Sequence, residues 1–210
     1  MKSVSIIDYG MGNLLSMQRA LEKNGAVVLI ASNPEQILQA EKLVLPGVGA
    51  FPDGMQELEK RDMVQAIREF VKSGKTLLGV CLGMQMLFER SEEMRLTSGL
   101  GLIQGKVVKF PEQQRDGSLN KIPHVAWTRI EPAEIPWEQT FLKATAQGAY
   151  MYFVHSYYAV PSSMSDILTL SPFGDSHFCS AARYENVWGT QFHPEKSGEV
   201  GLKLFKEFLK

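Results

Sequence analysis

The chain has 210 residues, 44% of them hydrophobic, with a mean hydropathy of −0.11, values ordinary for a globular protein with a sizeable core. Its 22 basic and 23 acidic residues leave a formal charge of −1, so composition gives no electrostatic case for binding nucleic acid or an acidic membrane. No apolar run approaches the roughly 18 residues a membrane-spanning helix needs.

The N-terminal part alternates between apolar runs and amphipathic segments. Val4 to Ile7 reads as a buried strand rather than a signal peptide, since Asp8 follows and no cleavage site does. Asn13 to Glu22 reads as a helix closed by Asn24-Gly25, and Ala26 to Ile30 as a second strand. Ser32-Asn33-Pro34-Glu35 is a helix-start pattern, and Lys42 to Leu45 is a third strand ending at Pro46-Gly47. Asp53 to Lys60 and Met63 to Lys72 are predicted helices. Leu77 to Val80 is a strand, and Gly83 to Arg90 a further helix. Such alternation predicts a mainly parallel sheet with helices on both faces and strand C-termini along one edge.

From about Gly101 the texture becomes strand-rich. Ile103 to Phe110, His124 to Ile130, Ala149 to Tyr158, Ile167 to Leu170, Phe178 to Tyr184 and Val187 to Phe192 read as strands, with a hairpin turn at Glu185-Asn186. A last amphipathic helix covers Val200 to Leu209. With no repeat or long linker, residues 1–210 read as one domain.

Two stretches carry chemistry. Gly79-Val80-Cys81-Leu82-Gly83 places a cysteine between glycines at the end of an apolar strand, the pattern of a nucleophile on a strand-to-helix elbow. A helix starting near Gly83 would favour the thiolate, and the Leu82 N–H would face a developing oxyanion. Pro46-Gly47-Val48-Gly49, at the end of the preceding strand, offers further backbone donors near Val48 and Gly49. Gln191-Phe192-His193-Pro194-Glu195-Lys196 supplies a base and a carboxylate two residues apart, on one side of an extended segment. Cys81, His193 and Glu195 thus form a candidate triad of nucleophile, base and orienting acid. His124 and His155 lie inside strand-like runs and read as core or pocket-wall residues, and His177 as a turn residue. Two cysteines and four histidines show no metal-ligand spacing, so no metal or cofactor is expected. The need for a free thiol at Cys81 points to a reducing, cytoplasmic setting.

Together these motifs resemble the class I (triad-type) glutamine amidotransferases over essentially the whole chain. The resemblance implies a flavodoxin-like, doubly wound sheet with an added antiparallel region in the C-terminal half. It implies that Cys81 attacks the side-chain carboxamide of L-glutamine, releasing ammonia and then glutamate. It also implies that Gly47, Gln85, Glu93 and the backbone at Ser156 hold the substrate.

Asp8-Tyr9-Gly10-Met11-Gly12-Asn13-Leu14 and Lys196-Ser197-Gly198 resemble the branch that sends its ammonia to a separate barrel-shaped cyclase subunit. That partner makes imidazole glycerol phosphate in histidine biosynthesis. On this resemblance Tyr9, Asn13, Trp127 and Lys196 lie at the partner interface. The family's usual His-Met-Gly-Trp-Asn stretch is here His124-Val125-Ala126-Trp127-Thr128. A paralogous subunit serving another synthase, a gamma-glutamyl thiol hydrolase, and a non-catalytic flavodoxin-like protein with a redox-sensing Cys81 are the competing readings.

Overall fold

The computed structural model describes residues 2–133 and 135–210. In chain order its strands are β1 (Lys2–Ile7), β2 (Ala26–Ala31), β3 (Leu43–Leu45), β4 (Leu77–Val80), β5 (Phe88–Ser91), β6 (Thr97–Ser98) and β7 (Ile103–Lys109). There follow β8 (His124–Arg129), β9 (Glu131–Pro132), β10 (Tyr150–His155), β11 (Tyr157–Pro161), β12 (Ile167–Phe173), β13 (Ser176–Tyr184) and β14 (Val187–Thr190). The helices are α1 (Leu14–Lys23), α2 (Pro34–Gln39), α3 (Phe51–Lys60), α4 (Met63–Lys72), α5 (Leu82–Met86) and α6 (Gly198–Phe208).

The main sheet has the order β2-β1-β3-β4-β14-β13-β12-β9. Its first five strands are mutually parallel, and the last three run antiparallel to their neighbours. This is the expected flavodoxin-like arrangement with its antiparallel extension. Side chains alternate between the two faces as the pleat dictates. Val4 and Ile6 of β1, Val44 of β3 and Leu78 and Val80 of β4 face a core shared with α1 and α6. Leu43 and Leu45 of β3 and Leu77 of β4 face the core shared with α2, α3 and α4. A strand buried on both faces reads as a continuous apolar run, which is why β3 and β4 were visible as such in the sequence.

Local signals set the helix ends. The Asn13 side chain caps α1 by accepting from the Ser16 N–H, and Asn33 caps α2 from the Gln36 N–H, with Pro34 at the first turn. The Glu185-Asn186 turn joins β13 and β14 as expected, with Glu185 in the left-handed region at φ 51°.

Two expectations are corrected. The helix predicted over Gly83 to Arg90 ends at Met86, and residues 88–91 form β5 instead. Segment 99–107 takes up this stretch: Leu100 N–H donates to Met86 O, Leu102 N–H to Leu87 O, and Phe88 pairs in parallel with Ile103. Burying Phe88 completely in that arrangement is worth about 1.5–3 kcal/mol, more than the local helix preference. The single strand predicted over Ala149 to Tyr158 is broken at Ser156. Its first half, β10, pairs with β8, and its second, β11, with β7. That break faces the cavity described next.

Candidate active site

Strands β4 and β14 are adjacent and parallel, with Gly79 opposite Gly189 and Val80 opposite Thr190. Whatever follows each strand therefore emerges at the same edge of the sheet. Cys81 follows one and Gln191 to Glu195 follow the other, so a register of parallel strands brings together residues more than a hundred positions apart.

Cys81 adopts φ 55° and ψ −112°, a conformation a non-glycine residue occupies at a cost of about 1–3 kcal/mol. The turn is held from both ends. Cys81 N–H donates to Thr190 O at 2.7 Å, and its carbonyl accepts from Gln85 N–H at 3.1 Å. The flanking glycines are required by space: a Cβ on Gly83 would run into the Leu45 carbonyl, and one on Gly79 would lie 2.7 Å from Gly83 O. Helix α5 is only five residues long, so its dipole contributes less at the sulfur than the longer helix expected from sequence. Leu82 opens α5, so its N–H has no partner within the helix.

His193 is extended at φ −99°, ψ 96°, and Pro194–Lys196 forms a 3-10 turn. The meeting of His193 with Glu195 thus comes from a turn and not from extended-strand alternation. His193 Nδ1 donates to Glu195 Oε1 at 2.8 Å, both side chains being under 5% exposed. The backbone is anchored by His193 N–H donating to Tyr152 O, and by the Ser197 hydroxyl donating to His193 O at 2.6 Å. The other ring nitrogen, Nε2, is buried with no partner in hydrogen-bond geometry among the described residues, and the Cys81 sulfur is its reactive neighbour. Burial by itself would lower the pKa of this imidazole. An anionic sulfur at Cys81 and the Glu195 carboxylate outweigh burial and push it up to about 10.

A cavity of about 370 Å³ opens over this pair and is lined by Val48, Gly49, Leu82, Gln85, Glu93 and Ser156 together with Cys81 and His193. Glu93 accepts from Phe51 N–H at 2.8 Å. Burial raises the Glu93 pKa, the Phe51 N–H opposes the rise, and Asp53 adds to it. Gly47 lies just behind the wall, packed so that a Cβ there would strike the Tyr9 hydroxyl and lie 3.0 Å from Leu82 Cβ. His155, the predicted pocket-wall histidine, lines the cavity, and burial lowers its pKa to about 3. It is therefore neutral and does not compete with His193 as a base.

Gln191 escaped the sequence reading as a site residue. It is fully buried, and its Nε2 donates to Cys81 Sγ at 3.8 Å. A polar residue inside a strand-like run, two positions before the base, was the available signal.

The expected interface residues divide. Trp127 is 53% exposed, its ring 6.0 Å from Tyr152, and the Lys196 ammonium lies 6.0 Å over the same Tyr152 ring. Tyr152 in turn is 6.3 Å from His193, so this exposed group adjoins the site. Asn13 is exposed but its side chain already caps α1. Tyr9 is a correction: it is 1% exposed, and its hydroxyl donates to Pro46 O at 2.9 Å. It supports loop 46–49 from inside rather than offering a surface. Thr128 is also turned inward, its hydroxyl 3.0 Å from His124 Nε2, so the departure from the family pattern at that position alters the interior more than the face.

Residues 5–210 match the family described as glutamine amidotransferase class-I. The chain belongs to the class-I glutamine amidotransferase family. Among curated relatives, this amidotransferase is 46% identical over 211 residues to imidazole glycerol phosphate synthase subunit HisH of Legionella pneumophila, covering 100% of this chain and 99% of that one. It is 47% identical over 210 residues to the subunit of the same name from Methanosarcina acetivorans, covering 100% and 98%. Among solved structures, PurLQS from Thermotoga maritima superposes with a TM-score of 0.74 at 19% identity, covering 100% of this chain and 98% of that chain, a likeness of fold.

Proposed function

We propose that this amidotransferase is the glutaminase subunit of imidazole glycerol phosphate synthase, hydrolysing L-glutamine and passing ammonia to a cyclase subunit. The full-length similarity to subunits of that name supports the assignment to histidine biosynthesis. The observation that carries the chemistry is the strained Cys81 elbow facing a His193 that is already paired with Glu195.

In this reading the Cys81 sulfur attacks the carboxamide carbon while His193 holds the thiol proton. The tetrahedral oxyanion is met by the Leu82 N–H and by a donor from Val48 or Gly49. Collapse breaks the C–N bond, His193 delivers its proton to the departing nitrogen, and ammonia leaves. Water then attacks the thioester with His193 as base, giving glutamate and the free thiol. The Glu93 carboxyl and the side-chain carbonyl of Gln85, whose nitrogen is engaged by Tyr157 O and Gln191, suit the substrate's α-ammonium. Backbone at Ser156 suits its carboxylate end, while Gly47, expected to hold substrate, lies behind the wall and acts through the loop it anchors. Trp127, Lys196 and Asn13 are the surface candidates for the cyclase, and Tyr9 acts on the interface only through the loop it supports.

The test is Cys81→Ala in the reconstituted complex. Glutamine-dependent synthesis should fall to background, while synthesis from added ammonium salt should continue at the wild-type rate. Loss of both in a folded complex would overturn the division of labour between subunits.

A further inference from the structure

A chain of amide groups runs from the cavity wall to the sulfur, and its direction can be read without ambiguity. Tyr157 O can only accept, so the end of Gln85 that contacts it at 2.9 Å must be the amide nitrogen. The same Gln85 Nε2 reaches Gln191 at 3.0 Å, so the Gln191 end facing it must be the oxygen. That leaves the Gln191 Nε2 pointing at Cys81 Sγ, 3.8 Å away. His155 Nδ1 also contacts Tyr157 O at 2.8 Å, so this nitrogen carries its proton and the carbonyl is doubly anchored. Gln191 is fully buried, and its backbone is fixed by donating to Ser180 O at 2.9 Å, so the amide has no solvent-facing alternative.

From this geometry we infer that Gln191 is a catalytic residue: its amide N–H stabilises the Cys81 thiolate, with Gln85 and Tyr157 O fixing the direction of the donor. A donor to sulfur favours the anion over the neutral thiol, because the negative charge is the better acceptor. Among the described residues the titratable groups around the sulfur are His193 with Glu195 behind it, Tyr9 beneath loop 46–49, and Glu93, His155 and Tyr157 across the cavity. His193 is the one cation available among these, and Gln191 adds a neutral donor on another side. The inference deepens the glutaminase reading, on which it rests, by naming a second group besides His193 that acts on the nucleophile.

The experiment uses the full chain without glutamine. Alkylation of Cys81 by iodoacetamide is followed against pH by mass of the modified peptide, which separates it from the buried Cys179. Gln191→Glu keeps an oxygen for Gln85 but places a carboxyl oxygen where the donor stood. Gln191→Met removes both contacts at similar volume. Each is expected to raise the midpoint of alkylation by about one pH unit or more and slow it near neutrality by about tenfold, with Gln191→Glu the more affected. A purely structural role would lower the melting temperature of Gln191→Met and leave its alkylation profile in place, whereas the new carboxylate of Gln191→Glu shifts the profile by charge alone, so the neutral Gln191→Met decides. Superimposable profiles for wild type and the folded variants would overturn the inference. Should Gln191→Glu fail to fold, Gln191→Met decides by the same midpoint. Because alkylation needs no glutamine, this failure is distinct from failure of the glutaminase reading, which would appear as a wild-type complex that releases no glutamate.

Discussion

Replacing Gly83 by alanine isolates the role of the elbow, because one methyl group is added where the backbone of another strand already lies. The new Cβ would overlap the Leu45 carbonyl oxygen and sit 2.8 Å from the Leu45 carbonyl carbon. Neither is the free end of a flexible side chain: Leu45 ends β3, which is paired on one side with β4 and on the other with β1. Relief requires the elbow and β3 to separate by roughly 1 Å, a displacement a densely filled core resists. Overpacking of that kind destabilises by about 1–3 kcal/mol, and for a chain of this size each kcal/mol lowers Tm by about 2–4 °C. The same shift moves the sulfur relative to His193, whose backbone is anchored to Tyr152 and Ser197 and does not follow. A misplacement near 1 Å is enough to lose about 10²-fold in rate. The assay is glutamine-dependent turnover by the complex, run beside ammonia-dependent turnover and a calorimetric melt. Gly25→Ala is the control, since its φ of 82° strains an alanine but nothing lies within 4 Å of the added carbon. The control should lose stability of about 1–2 kcal/mol and no activity. If Gly83→Ala kept wild-type glutaminase activity and melted with the wild type, crowding at the elbow would not be what fixes the nucleophile.

Three further variants bear on the site. In Cys81→Ala the imidazole of His193 loses the thiol partner that raises it, so its pKa should fall from about 10 toward or below the ordinary value, as read by NMR titration; an unchanged pKa would place the cause elsewhere. A folded-state pKa raised in this way contributes stability that is present below the unfolded value near 6.5 and is lost as pH rises through about 10. Wild type should therefore lose more stability than Cys81→Ala between those limits, measured by denaturant melts. Tyr9→Phe removes the buried hydroxyl bonded to Pro46 O and should destabilise by about 1–3 kcal/mol, leaving the carbonyl unpartnered. Titration calorimetry should show cyclase affinity within a few-fold of wild type, and a large loss would mean Tyr9 meets the partner directly. Trp127→Ala, at an exposed aromatic beside Lys196 and Tyr152, should weaken association by about 1–2 kcal/mol with little change in Tm, and unchanged affinity would remove this face from the interface.

Much of this was legible in the sequence, for identifiable reasons. Strands β3 and β4 are buried on both faces and α4 carries one clean apolar side, so continuous and helical periodicities gave their positions within a residue or two. The candidate triad's neighbourhood was legible because glycine and proline mark it: Gly79 and Gly83 are forced by contacts, and Pro194 opens the turn that brings Glu195 to His193. What stayed hidden depends on distant partners. Residues 86–90 have helical spacing, and only pairing with a segment about fifteen residues away turns 88–91 into a strand. Tyr9 sits in a glycine-rich stretch that reads as surface, yet its ring fills the space below Pro46. Gln191 looks like one more residue of a strand, and its role emerges only when Gln85 and Cys81 arrive from another strand's end.

The division between fixed and adjustable parts bears on how such a site is switched. Cys81 and His193 are buried and tied to β14 and β10 by backbone hydrogen bonds to Thr190 and Tyr152, and Glu195, its side chain also covered, is tied to His193. Across the cavity, Pro46 is held by Tyr9, and Gly47 is wedged between Tyr9 and Leu82. Beyond that wedge the restraint ends: Val48 is 43% exposed, and Gly49 sits at φ 109°. A residue with positive φ and no Cβ can reorient its peptide at little cost, whereas moving Gly47 would mean breaking its packing. The oxyanion donor expected from this loop therefore has its hinge within residues 48–49, next to the thiol and away from the sheet. If partner binding raises glutaminase turnover, the rise should come through kcat as that peptide turns its N–H to the oxyanion, because the proposed triad residues and substrate contacts already line one cavity or adjoin it in the unpartnered chain.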